Sequence, residues 1–399
     1  MPPAFIGTLE PEKQLLICCA RTRIRPEIAR KIRILAAGAL DWERLFSDAA
    51  EHSLMPLLDR HLHEIMPAAL TPPQNRRWKE AIHANAVRCL RLTASLMEAL
   101  GEFSLQSIPA IPYKGPVLAA QAYGDVALRA FDDVDVILRQ KDMPRAHDAM
   151  RRLGYRPRFP PDLEPGVSGA LVPGEYKYYS EARDAIVELH TEKTLRHFPV
   201  EPDLDDFLER RVAVAMSGHE LRTFAPEDAL IALSIHGAKD FWGRISWITD
   251  IAELIQSHPQ LDWDRVATRG ESLRAQRMLH LGLILAASLL DVLLPDEVIR
   301  MIDRDEIAGR VAKELRQRLL TNGERPWGAF ARFRFRAHML ANPIDGWRYA
   351  ARLAVAPAEE DWRMLRLPAP LAPLYFFLRP LRLLQKYGQM PGSSNRTIF

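Results

Sequence analysis

The 399-residue chain is poor in cysteine: Cys18, Cys19 and Cys89 are all it has. An adjacent pair plus a distant single gives neither a disulfide framework nor the spacing of a zinc site, which implies a reducing compartment. An excess of one charge is also lacking, since 54 Lys+Arg meet 51 Asp+Glu for a formal net charge of +3. That balance excludes a polybasic nucleic-acid coat and leaves room only for a local patch. No apolar run reaches the roughly 18–20 residues that span a bilayer. The N-terminus, MPPAFIGTLEPEK, has no basic stretch leading into an apolar one and a small-residue cleavage site. A soluble, cytoplasmic protein is expected. P-loop, G-x-G-x-x-G, H-E-x-x-H and G-x-S-x-G signatures are missing as well, so the corresponding nucleotide, zincin and serine-hydrolase chemistries lack support.

What is present is a globular mixture, with 48% hydrophobic and 26% charged residues. At roughly 100–200 residues per domain, this length accommodates two or three domains. Residues 1–106 read as helical, with apolar positions three and four apart in RPEIARKIRILAAGAL and LDWERLFSDAAEHSLMPLLDRHLHEI. Asp41 is placed to cap one helix, and a longer helix begins after Pro72-Pro73. The texture changes at Ser107. IPAIPYKG, VDVILRQ and the two halves of YKYYSEARDAIVELHTEK read as strands, whereas PVLAAQAYG and MPRAHDAMRRLGY read as helices. Together they form a small α/β unit over 107–200. RPRFPPDLEPGVSGALVPGE, rich in Pro and Gly, reads as a loop.

Helices return over 201–323, with a single helix expected across 236–254 and LDWDRV at 261–266 echoing LDWERL at 40–45. Two occurrences suggest similar helix starts, not a solenoid. The final region, 324–399, is Pro/aromatic-rich and carries +7, against −4 for the rest of the chain. It suits a phosphate-rich partner or weak contact with a membrane surface, or simply a face where Leu and Phe pack inward and Arg meets water.

The chemistry concentrates in Tyr113-Lys114-Gly115-Pro116, Arg129 and Phe131-Asp132-Asp133-Val134-Asp135-Val136-Ile137-Leu138. Side chains alternate along a strand, so Asp133 and Asp135 share one face while Val134, Val136 and Leu138 take the other. Two adjacent carboxylates repel unless a divalent cation sits between them, and Mg²⁺ typically takes one or two protein carboxylates plus substrate phosphates. Glu188, on the same strand face as His190, supplies a third acid. Lys114 and the Gly115 turn offer a point charge and free backbone N–H groups to phosphate. Asp132 is expected to turn the chain instead of binding metal.

These residues resemble bacterial nucleotidyltransferase-like proteins of the DNA polymerase beta superfamily. The likeness rests on KG at 114–115, Arg129, DVDVIL at 133–138, RLGY at 152–155 and VELH at 187–190, and extends into HGAKDFWGRISWITDIAEL at 236–254. It implies an α+β fold in which a polymerase-beta-like α/β unit with a mixed sheet lies between two helical regions. It also implies a Mg²⁺-dependent nucleotidyltransferase, with Mn²⁺ as substitute, that moves a nucleoside monophosphate from an NTP to an acceptor and releases pyrophosphate. Asp133, Asp135 and Glu188 would hold the metals, and Glu188 would help deprotonate the acceptor; Gly115 would belong to the nucleotide turn. Two departures stand out. Pro116 replaces the usual small hydroxyl residue after the glycine, and the gap from Gly115 to Asp133 is long. They keep open a degenerate nucleotide-binding or scaffold protein.

Arg129 could bind a triphosphate or pair with the aspartates. On the expected 236–254 helix, His236, Lys239, Asp240 and Arg244 share a face, which would either close over the nucleotide or acceptor or carry an Asp240–Arg244 ion pair in solvent. Asp250 reads equally as part of that face's site or as a helix-surface acid. His61 and His63 read as packing residues.

Overall fold

The computed structural model describes residues 9–67, 69–159, 174–191, 203–320, 327–340, 342, 344–346, 361, 364–365, 367, 371 and 374–387. Five helices come first: α1 (Pro11–Cys19), α2 (Pro26–Ala36), α3 (Trp42–Glu51), α4 (Met55–Ile65) and the long α5 (Pro72–Leu105). The α/β unit follows as β1 (Ala110–Pro112), α6 (Gly115–Leu118) running into a π-helical turn over Ala119–Tyr123, β2 (Val134–Leu138), α7 (Met143–Arg152), β3 (Arg156–Phe159), β4 (Glu175–Ser180) and β5 (Ala185–His190). After α8 (Leu204–Glu209) and the hairpin β6 (Val212–Met216) and β7 (His219–Thr223) come α9 (Pro226–Lys239), α10 (Ile245–Ser257), α11 (Trp263–Ser272), α12 (Gln276–Leu290), α13 (Asp296–Asp303), α14 (Glu306–Leu320) and α15 (Ala329–His338).

The sheet is mixed, in the order β1-β2-β5-β4-β3, with β2 and β5 parallel and the other neighbours antiparallel. Strand alternation sorts its faces. Val134, Val136 and Leu138 of β2, Tyr176 and Tyr178 of β4, and Val187 and Leu189 of β5 pack with Leu92, Leu96 and Phe103 of α5 and Met143 and Met150 of α7. The opposite face carries Asp135, Glu188, His190, Glu175 and Lys177, and it is toward this face that α9 turns. The helices on both sides of the α/β unit share a second core: Leu15, Leu16, Ile28, Leu45 and Leu58 cluster with Leu230, Ile248, Leu279 and Leu315.

The LDW echo is structural. Asp41 accepts from Arg44 N at 3.0 Å and Asp262 from Arg265 N at 2.9 Å, so each satisfies an orphan donor at a helix start. Glu12 Oε1 accepts from Asp41 N and Glu227 Oε1 from Asp262 N, tying each helix back to the helix that begins Pro-Glu. Both helices then end in the same bend, with Ser53 and Arg274 at positive φ and the next N–H donating to Ala49 O and Gly270 O at 2.8 Å.

Two expectations are corrected. Arg156–Phe159, assigned to the loop, is strand β3 paired with β4; residues 160–173 of that loop lie outside the described residues. The helix expected over 236–254 is broken between Lys239 and Ile245. Phe241 and Trp242 both have positive φ, and the Trp242 ring is fully buried. A Cβ at Gly237 would lie 2.6 Å from that ring, so the glycine makes the slot that the indole fills. Periodicity cannot register this insertion, because the apolar spacing continues through it. Asp240 therefore faces His236 at 3.3 Å, while Arg244 caps the next helix and donates to Ser53. Of the basic C-terminal region, part is outside the described residues. Its last described helix, Tyr375–Tyr387, packs through Tyr375, with Arg379 and Arg382 paired to Asp361. Among the described residues, no helix is long and apolar enough to cross a membrane.

Two outcomes follow from this packing. Gly237→Ala forces the Trp242 ring out of its slot and should destabilise the protein by about 2–3 kcal/mol in urea unfolding. His52 is buried at the end of α3, and burial, with Lys13 and Arg244 nearby, lowers its pKa from 6.5 to about 3. A lowered histidine contributes stability in full above pH 6.5, and loses it as pH falls toward 3. His52 should contribute up to about 5 kcal/mol to the loss of stability over that window, and His52→Gln should remove that share.

Candidate functional site

Gly115 has φ +56°, and a Cβ there would meet the Asp133 carbonyl oxygen at 3.1 Å. Glycine thus lets the Lys114-Gly115 turn press against the start of β2 and brings the Lys114 ammonium onto Asp135, Nζ to Oδ1 2.8 Å. Asp135 is 3% exposed and pairs in register with Glu188 of β5, which is 7% exposed. Two residues further along each strand, Ile137 pairs with His190, whose Nε2 lies 2.8 Å from Asp135 Oδ1 and 3.8 Å from Glu188 Oε2. Asp135, Glu188 and His190 each present a ligand atom within 4.8 Å of the others.

Cations are built around these acids. Lys177 donates to Glu188 at 2.6 Å and lies 3.4 Å from Glu175, and Lys239 of α9 donates to Glu175 at 2.8 Å. Burial alone would raise the Asp135 pKa, but Lys114 and the His190 hydrogen bond outweigh it and hold the carboxyl well below the carboxylate range. For Lys114 burial is likewise outweighed, here by Asp135, and its pKa is raised. Asp133 sits at the mouth of the strand, where burial and then the charges of Asp135 and Glu188 push its pKa up to about 7. Glu175 is lowered, with Lys239 overcoming its burial.

The remaining expected residues separate. His236 lines the cavity that Lys114 and His190 also line, with its ring edge-on to Trp247, and burial followed by Lys114 holds it neutral. Lys239 is engaged with Glu175. Arg129, expected at a triphosphate or at the aspartate pair, instead grips Asp250 through Nε at 2.8 Å and Nη2 at 2.9 Å. Asp250 is correspondingly 1% exposed, which excludes the surface-acid alternative, and also accepts from Tyr123 at 2.6 Å. This pair ties the segment before β2 to α10. Asp132 is exposed and paired with Arg88, and His61 is bonded to the Arg21 carbonyl.

Sequence reasoning placed His190 on the face of Glu188 without assigning it a role, and it passed over Glu175 and Lys177. The alternation Glu175-Tyr176-Lys177-Tyr178 was the available signal, since its polar positions pair with His190 and Glu188.

The donor set fits a divalent cation. Two carboxylates supply hard oxygen ligands, and the added imidazole suits a first-row transition-metal ion better than Mg²⁺. Among the described residues, His190 Nδ1 is buried without a hydrogen-bond partner.

A family model described as an uncharacterised nucleotidyltransferase matches residues 38–291, which include the whole α/β unit and every residue of this site. The chain belongs to this nucleotidyltransferase family. Among solved structures, it is similar to the antibiotic-resistance factor ANT(2'')-Ia in solution, at 12% identity and TM-score 0.33, covering 48% of this chain and 94% of that one. A crystal structure of ANT(2'')-Ia with adenylyl-2''-tobramycin also matches, at 12% identity and TM-score 0.33, over 46% of this chain and 97% of that one. So does an antigenic nucleotidyltransferase-like protein from Paracoccidioides brasiliensis, at 16% identity and TM-score 0.31, over 53% and 96%. No curated protein matches.

If these three side chains bind a cation, Mn²⁺ titrated by calorimetry should bind the wild type, and Asp135→Asn should weaken that binding by at least tenfold, about 1.4 kcal/mol. The Asp132→Asn control should titrate like the wild type.

Proposed function

We propose that the protein is a divalent-metal-dependent nucleotidyltransferase that moves a nucleoside monophosphate from an NTP to an acceptor. The observation that carries this is the convergence of Asp135, Glu188 and His190 beside Lys114, in a chain of nucleotidyltransferase family. Asp133, Asp135 and Glu188 serve as the acids of the metal centre, with His190 as a nitrogen donor. The ion, when bound, neutralises phosphate charge. Lys114 and the Gly115 turn hold the phosphates, because such transfers depend on positioning and charge neutralisation more than on covalent chemistry.

The acceptor oxygen forms a bond to the α-phosphorus as the bond from that phosphorus to the oxygen bridging the β-phosphate breaks. Pyrophosphate leaves, and a hydroxyl acceptor gives its proton to Glu188. His236 and Lys239 stand on the α9 wall beside this path, where they contact nucleotide or acceptor. Arg129 acts through Asp250 to fix the backbone that leads into β2, and so serves as a positioning residue. A cytoplasmic location follows from the same reading, because NTP is available there.

A second reading is favoured by Pro116. It removes an N–H from the first turn of α6, and with Gly115 packed against the Asp133 carbonyl the turn has fewer groups free for phosphate. On that reading the protein binds nucleotide without transferring it.

Incubation with each labelled NTP, Mn²⁺ or Mg²⁺ and cell extract separates the two. Transfer should yield pyrophosphate and a labelled product, and Asp135→Asn or Asp133→Asn should lower the rate by about 10³-fold or more, about 4 kcal/mol in the barrier, without changing the fold by circular dichroism. Metal-dependent NTP binding with no pyrophosphate from any NTP would favour the binding protein.

A further inference from the structure

We infer that the cavity beside the metal centre takes an acceptor with a compact apolar body and excludes polyamines; this rests on the transferase reading above. The cavity, about 80 Å³, lies between the sheet and α9, and His190 and Lys114 form the wall nearest Asp135. Facing them are Phe207, Phe224, Ile231, Ile235 and Leu273, an apolar surface contributed by four separate segments.

The charges lining the cavity decide what it admits. Its cations are Lys114 and Lys239. Its one carboxylate among the described lining residues, Asp228, is buried and already engaged, accepting from Arg210 Nε at 3.0 Å and Nη2 at 3.2 Å and from Arg269 Nε at 3.0 Å. Glu175, the next acid along the sheet face, is taken by Lys239 and Lys177. An ammonium-rich acceptor would therefore lose its hydration against isoleucine and phenylalanine, with no free carboxylate among the described lining residues to replace it. An apolar body gives up little there, and it needs no charge from Lys239 or Lys114, which Glu175 and Asp135 already hold.

A nucleobase suits the cavity less well. Thr191 is bonded to Gln140 at 2.8 Å, His236 Nδ1 faces Asp240, and Asp228 is saturated, so few groups are free to meet a base's polar edge. The occupant's alcohol or carboxylate oxygen reaches the metal centre from this side, attacks the α-phosphorus and displaces pyrophosphate. A hydroxyl gives its proton to Glu188, and a carboxylate has none to give.

The test follows pyrophosphate release from NTP and Mn²⁺ with benzyl alcohol, 3-phenylpropionate and octanoate on one side and spermine and tobramycin on the other. At least one apolar acceptor should raise release tenfold or more, and neither polyamine should. Ala232→Trp, which fills the cavity from α9, should cut kcat/KM for that acceptor at least tenfold while leaving Mn²⁺–NTP affinity within twofold; Ile231→Glu is the second variant, should the first not fold. Stimulation by spermine or tobramycin overturns the inference, and so does stimulation by no acceptor when Mn²⁺–NTP still binds. Failure of Mn²⁺–NTP to bind the wild type instead removes the transferase reading itself.

Discussion

Parallel pairing of β2 with β5 in the register Asp135 to Glu188 is the constraint on which the site depends. Neighbouring strands stand about 4.8 Å apart, so this register fixes two nearly buried carboxylates side by side. At an effective dielectric near 20, like charges about 4 Å apart repel by about 4 kcal/mol, and burial adds to the cost. The fold tolerates this only because two lysines and an imidazole are delivered to the same place as partners. Lys114 comes from the turn that Gly115 allows, Lys177 from the antiparallel neighbour β4, and the His190 imidazole from two residues further along β5.

The surrounding architecture serves that delivery. Glu188, Lys177, Glu175 and Lys239 form a chain of ion pairs from the sheet to α9 and hold the helical layer over the charged face. Arg129, Asp250 and Tyr123 make a second, buried tie from the segment before β2 to α10. Both ties anchor in a helical body drawn from the two ends of the chain, in which the Asp41 and Asp262 helices repeat one capping scheme. An apolar cavity at the junction of these layers is what remains for an organic substrate.

Local pattern carried much of this into the sequence. A period of two put Asp133 and Asp135 opposite Val134 and Val136, and did the same for Glu188 and His190 against Val187 and Leu189, because strand alternation needs no knowledge of the partner. The α/β unit between helical regions, the helix starts at Asp41 and Asp262, and the turn at Lys114-Gly115 were legible for similar local reasons, whereas the mixed sheet was implied by the family resemblance. What failed depended on register or on distant packing. Lys177 and Glu175 matter only because β4 pairs with β5 in one alignment. Arg129 found Asp250 on a helix far along the chain, and the neighbours of Asp250 in sequence do not reveal what covers it. The break after Lys239 came from an indole fitting against Gly237, which no hydrophobic period can register.

Pulsed electron paramagnetic resonance on Mn²⁺ bound to the protein tests the convergence most directly, because it reads the nuclei touching the ion. Coordination by His190 predicts a ¹⁴N coupling that disappears in His190→Gln, while the Mn²⁺ stays bound through the carboxylates. A spectrum with oxygen ligands alone, unchanged by that substitution, would contradict the three-residue centre.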